Sequence, residues 1–181
     1  QHGVQMDSEL IEGALFISEQ TREELSGRAK ALTGLENPNS VQQLMQWVQD
    51  NSELEIESLD KQTVAEALAN KDEKQLVREV LKIRHELGKT SVKKYEAMKT
   101  CMCADGRIRG LLQFYGASRT GRWAGRLVQV QNLPKNHIGT LDVARKLVKK
   151  RQTDALKLIY GNVPDTLSQL IRTAFVPGKG N

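Results

Sequence analysis

The chain has 181 residues, 27 Lys+Arg against 22 Asp+Glu, 39% apolar residues and only 4% aromatic ones. That length and apolar share suit one ordinary domain or two small lobes around an aliphatic core; no apolar run is long enough to span a bilayer, and the opening QHGVQMDSELIEG contains no signal-peptide apolar region. Cys101 and Cys103, one residue apart, exclude a disulfide framework and a structural zinc site, and read as the reduced thiols of a cytoplasmic protein.

In chain order, the first helix begins at Asp7 as N-cap, with Glu9 and Glu12 near its positive end and Leu10, Ala14, Ile17, Leu25 and Ala29 on one face. It ends before TGLENPNS, where Gly34 and Pro38 interrupt the pattern. Ser40 followed by Gln43 is a capping-box pattern for a short helix through Val41, Leu44, Met45 and Val48. Ser58 or Asp60 starts another, through Val64, Ala67 and Leu68. From about Asp72, Leu76, Val80, Ile83 and Leu87 line a longer helix whose pattern extends past Gly88 to Tyr95 and Met98. The period then changes. RIRGLLQFY, bounded by Asp105-Gly106 and Gly116, reads as a strand, and GRLVQVQN alternates at period two. Helix returns in LDVARKLVKKRQTDALKLIYG with Asp142 as its cap, and Pro164 opens a last helix through Leu167, Leu170 and Ile171. The end, AFVPGKGN, is turn-rich, and the expectation is a piece of a longer protein. The expected fold is mainly α with a small antiparallel β element, an α+β arrangement divided at residues 1–100 and 101–181.

Charge is segregated. Residues 1–90 hold 10 Lys+Arg and 17 Asp+Glu, whereas residues 91–181 hold 17 and 5. Such a split points to an anionic partner for the second half, with nucleic acid the commonest. Familiar catalytic patterns are missing. The three histidines are scattered, GKTS at 88–91 lacks the first P-loop glycine because position 83 is Ile83, and the carboxylates at 53, 55 and 57 read as a solvated loop. The informative stretch is residues 120–135, TGRWAGRLVQVQNLPK. It carries Arg122, Arg126, Lys135, three side-chain amides and two glycines, with no acid. Arginine forks bond phosphates or base edges, amides donate and accept at sugar edges and minor-groove acceptors, and Gly121 and Gly125 allow a close backbone approach. A basic surface hairpin is the plain alternative.

The same stretch resembles the T-G-R-L-S-S-x-x-P-N-L-Q-N-I-P motif of family A DNA polymerases, the DNA polymerase I group. Thr120, Gly121, Arg122, Gln131, Asn132 and Pro134 match without a gap. GVQMDSELI, NPNSVQQLMQWV, SLDKQTVAEAL, ELGKTSVKKY and LIRTAFVP are similar to further family segments in the family's order, and the wording is most like phage- and prophage-encoded enzymes. The chain departs from the pattern at Trp123 (Leu in the family), Ala124-Gly125 (often Ser-Ser) and Gln129 (Asn). The stretch of about 136–165, with Arg145, Lys146, Lys149, Lys150 and Arg151, is an insert that the pattern lacks; it extends the DNA contact, binds another replication protein or, as the plainest expectation, is simply a solvated helix face.

The resemblance implies a helical thumb over 1–100 and a basic partial palm over 101–181 of a DNA-directed DNA polymerase, bacterial and cytoplasmic, that binds primer–template DNA during replication and has no membrane partner. It implies that Arg122 reaches the minor groove, and that Gln129, Gln131 and Asn132 meet sugars and minor-groove acceptors. Lys89, Lys93 and Lys94 on a thumb-like helix would meet phosphates, and Thr120, Arg119 and Arg126 would complete the DNA-binding set. The catalytic aspartates, the two magnesium ions they hold and the fingers helix would belong to the remainder of the polymerase chain. No cofactor is expected within these residues, and the fragment alone would be inactive. Two rival readings are a non-catalytic DNA-binding module and a helical protein-interaction domain with a basic face.

Overall fold

A computed structural model describes residues 2–70, 73–89, 92–117 and 119–178. Asp72, expected near a helix start, and Thr90 and Ser91 of the GKTS stretch lie outside the described residues. Eight α-helices and five short strands account for most of the rest, mainly α with small antiparallel sheets. The contacts divide the chain into two units, residues 1–20 with 90–181, and residues 21–89. Helix α1 (Ser8–Thr33) begins in the first and ends in the second.

In the first unit, β1 (Val4–Met6) is the middle strand of a small sheet. It pairs antiparallel with β2 (Arg107–Ile108) on one side and with β5 (Phe175–Val176) on the other. The apolar AFV run near the chain end is thus a strand partner for residues near the beginning, a pairing that neither segment's own pattern announces. Asp7 then caps α1. Its Oδ1 accepts from the Leu10 N–H at 3.2 Å, and its own N–H donates to Ala174 O at 2.8 Å. Leu10, Ile11, Ala14 and Ile17 of α1 enter a core with Tyr95 and Met98 of α5 (Val92–Cys101). Val163, Leu167 and Leu170 of α8 (Val163–Leu170) join the same core. Each large aliphatic side chain buried there contributes about 1.5–3 kcal/mol. Tyr95 is fully buried, and its hydroxyl donates to Leu167 O at 2.7 Å, so the ring packs without stranding its polar end.

The stretch 136–165 is not the solvated face expected of it. It forms α6 (Leu141–Lys149) and α7 (Thr153–Tyr160), two helices separated by Arg151, whose φ of 55° stops the first. Ala144, Val148 and Leu156 are fully buried in the main core. At Gly13 of α1 a Cβ would fall 2.2 Å from Val148 O, so α1 and α6 touch backbone to backbone. Arg145 and Lys149 each reach Asp7 Oδ2 at 2.7 Å, and Arg151 stands over the Phe16 ring, 5.1 Å from its centroid. Part of the basic character of this stretch therefore answers the acidic start of α1. Asp142 is in the first turn of α6 instead of capping it, because Thr140 occupies the N-cap position. Pro164 does open α8, behind Asn162, whose side chain accepts from the Asp165 N–H.

The second unit joins the end of α1 to α2 (Val41–Asn51), α3 (Lys61–Ala69) and α4 (Gln75–Leu87). Ser40 caps α2, as its sequence pattern indicates, and of the two candidates Ser58 and Asp60 it is Asp60 that caps α3. Leu44, Val48, Val64, Val77, Val80 and Leu81 form its centre. The inward residue of α4 is Val77 and not Leu76, which is exposed. Nor does α4 continue. Gly88 N–H returns to Arg84 O and Lys89 N–H to Glu86 O, a closing turn, and α5 is a separate helix. Among the carboxylates 53, 55 and 57, Glu53 pairs with Lys74 at 2.9 Å, while buried Glu73 accepts from the Glu53 and Lys74 N–H groups and from Ser52 Oγ.

Candidate nucleic-acid interface

Strands β3 (Leu112–Ala117) and β4 (Arg122–Gly125) form an antiparallel hairpin in the first unit. Its turn is closed by the Thr120 and Gly121 N–H groups, both donating to Ala117 O. Gly121 has a φ of 63° and lies against the Tyr115 ring, where a Cβ would come within 2.9 Å of Cε2. The expected strand through GRLVQVQN is not formed, since β4 ends at its first residue, Gly125. Leu127 and Gln129 adopt φ values of 58° and 54°, and Val130–Asn132 is a 3-10 turn. The alternation in that segment reflects buried Val128 and partly buried Val130, which with Leu133 plug a curled loop into the core and are not steps of a ladder. Among the described residues, Tyr115, Leu127 and Gln129 are three of the four non-glycine residues with positive φ. Such conformations cost energy and concentrate where a backbone is shaped for a purpose.

Two cations hold this loop from outside it. Lys94 Nζ of α5 donates to Val128 O at 2.8 Å. Arg172, in the 3-10 turn after α8, donates through Nε to Pro134 O at 2.9 Å and through Nη2 to Leu133 O at 2.8 Å. Within the loop, Arg126 Nε donates to Gln113 Oε1 of β3, and the Arg126 N–H bonds Leu111 O. The Asn132 amide reaches Gln129 Oε1 at 3.5 Å. Gln131 lies directly on Gly125, since a Cβ there would overlap the Gln131 amide.

Of the ten residues singled out in the sequence, Arg126, Gln129, Gln131, Asn132 and Lys94 therefore meet around one loop. Arg119, Thr120 and Arg122 lie at the hairpin turn and the start of β4. Lys93 is exposed on α5. Lys89 follows the end of α4 in the second unit, so the single helix expected to carry Lys89, Lys93 and Lys94 is not formed. All seven singled-out residues between 119 and 132 are exposed. From residue 107 to residue 135 there is no Asp or Glu, and Asp105 just before is drawn down to about pKa 2 chiefly by its hydrogen bond to Arg109. This stretch presents donors and positive charge with no acid of its own, which suits a polyanion. Sequence reasoning missed Arg172. Its signal was the LIRTAF run, noted for likeness and not for its arginine. It also passed over Phe114 and Tyr115. Among the described residues no group of three or more His, Cys, Asp or Glu side chains could hold a metal ion, and no helix is long and apolar enough to cross a membrane. Cys101 and Cys103 are free thiols.

The chain is 54% identical over 179 residues to a protein named DNA polymerase from Bacillus phage SP02. The alignment takes in 99% of this chain and 27% of the relative, so the chain spans about a quarter of the relative's length. No family model matches the chain. No solved structure matches it either.

Proposed function

We propose that residues 1–181 are the duplex-holding part of a phage-type family A DNA polymerase, with residues 1–100 as thumb and residues 101–181 as the start of the palm. The observation that carries this reading is the similarity to the phage SP02 protein, which runs through essentially the whole chain, TGR and QNLP segments included. The geometry supports it by presenting exposed arginine and amide side chains on an acid-free hairpin and loop. On this reading Arg122 enters the minor groove beside the primer terminus. Gln129, Gln131 and Asn132 meet sugar and minor-groove acceptors, which are similar for all base pairs and so report geometry without reading sequence. Arg119, Thr120, Arg126, Lys89 and Lys93 face phosphates, while Lys94 and Arg172 hold the loop in shape. The remainder of the polymerase chain holds the two magnesium ions and the catalytic aspartates, acting in the bacterial cytoplasm, and these residues alone incorporate no nucleotide.

The test is fluorescence anisotropy of labelled primer–template DNA at several salt concentrations. The log–log slope is expected at about −2 to −5, for roughly three to five engaged cations, with little sequence preference. A salt-independent affinity, or none, would remove the reading.

A further inference from the structure

The chain contains 3 Phe, 2 Trp and 3 Tyr, and three of these rings stand together in solvent on the β3–β4 hairpin. Phe114 is 70% exposed, Tyr115 59% and Trp123 61%. Phe114 meets Trp123 edge to face across the strands, with centroids 5.2 Å apart, and lies 6.3 Å from Tyr115. Consecutive residues of a regular strand point to opposite faces. Here the register shifts between Gln113 and Ala117 and Tyr115 takes a φ of 52°, so two neighbouring rings come together. The backbone is thus bent in a costly way to expose aromatic surface.

What covers such a surface is decided by its surroundings. Arg122 immediately precedes Trp123, Arg126 bonds the residue before Phe114, and no acid occurs from 107 to 135. Rings beside arginines, in a stretch that has no acid of its own, match the bases and phosphates of a nucleic-acid strand in both charge and stacking surface. Bases inside a duplex keep their faces stacked on one another, so, apart from the outer face of a terminal pair, the rings are open to unpaired bases.

We propose that the Phe114–Tyr115–Trp123 face is a stacking surface for unpaired bases of single-stranded DNA adjoining the bound duplex. The proposal rests on the duplex-holding reading above and adds a second, single-stranded component to it.

The experiment compares the 181-residue chain on a blunt duplex, on the same duplex with a 5′ overhang of thymidines, and on oligothymidine alone, by anisotropy. The overhang is expected to tighten binding, and stacking on Trp123 to quench its fluorescence. The doubly substituted Phe114→Ala, Trp123→Ala protein should lose roughly tenfold in overhang affinity per ring while keeping its blunt-duplex affinity. Trp123→Phe, which keeps a ring, should retain most of the overhang effect. Circular dichroism first establishes that the variants are folded. If the overhang adds nothing for the parent chain, or the folded double variant binds it equally well, the stacking surface is refuted and the duplex reading stands. Equal losses on blunt and overhang DNA also refute it. Ring-dependent binding of oligothymidine without any duplex binding would support the stacking surface and sink the duplex reading. Rings silent toward every oligonucleotide would mark a protein interface and overturn the proposal.

Discussion

Asp7→Asn isolates the junction that ties the 136–165 stretch to the rest of its unit. The Asp7 side chain is only 8% exposed, and its Oδ2 lies 2.7 Å from both Arg145 and Lys149, which are themselves 26% and 32% exposed. Burial opposes its ionisation, but the Lys149 hydrogen bond, the Leu10 N–H and Arg145 outweigh that, and the carboxyl is held below its ordinary value of 3.8. Asparagine keeps the cap on α1, since an amide oxygen serves there as well as a carboxylate, but it removes the charge and turns an NH2 donor toward Arg145 and Lys149 in place of Oδ2. A charge-assisted hydrogen bond contributes about 1.5–3 kcal/mol. Two such bonds are lost here, but their partly exposed cations recover water, so the net loss is expected at about 2 kcal/mol. For a protein of this size that is roughly 4–8 °C in Tm. Asp7→Ala should cost about 1 kcal/mol more through the lost cap. The sign with pH follows from the lowered folded-state pKa. The stabilisation is complete above the unfolded value and is lost as pH falls through the folded one, so parent and Asp7→Asn should converge in acid. Thermal melts followed by circular dichroism from neutral to acidic pH, with Lys149→Gln closing a double-mutant cycle, measure this. An Asp7→Asn protein that melts with the parent at neutral pH, or a gap that persists in acid, would refute the reasoning.

Two further substitutions follow from close contacts. Gly13→Ala should destabilise by roughly 1–2 kcal/mol, because overpacking against the Val148 carbonyl, typically about 1–3 kcal/mol, exceeds the gain of about 1 kcal/mol in helix propensity; a raised Tm would contradict the backbone contact between α1 and α6. Lys94→Met removes the donor to Val128 O and leaves that loop carbonyl unpaired. It should cost about 1–3 kcal/mol and speed amide exchange over residues 126–132, and unchanged protection there would show that Lys94 does not hold the loop.

Much of the helical frame was legible because its signals are local. Asp7, Ser40 and Asp60 cap helices where short-range patterns place them, and the apolar period of α1 marks its buried face. The errors have physical causes. Gly88 was read through as part of a helix, although its closing turn ends α4. GRLVQVQN was read as a strand because a loop with Val128 buried and its neighbours exposed gives the same alternation as a ladder, and only the positive φ of Leu127 and Gln129 separates the two. The β1–β5 pairing and the Asp7–Arg145 contact join residues far apart in sequence, and no local pattern carries that information. At the candidate interface the donor-rich, acid-free stretch 120–135 stands out by composition and the family resemblance names the residues within it, whereas the supports, Arg172 above all, appear only once the loop's carbonyls are seen to need donors.

Arg122→Ala tests most directly whether the arginine and amide side chains of the 120–135 segment hold duplex DNA. The Arg122 side chain is exposed on β4, so its removal should leave the fold intact, which circular dichroism would verify. Loss of one charge-assisted contact should weaken primer–template binding by about 1.5–3 kcal/mol, roughly ten- to a hundredfold in Kd. Lys146→Gln with Lys150→Gln, exposed on and just after α6, is the control; it should lower only the salt slope and leave the preference for a primer terminus untouched. A folded Arg122→Ala protein that binds primer–template as tightly as the parent would reduce the segment to a basic hairpin and contradict the account.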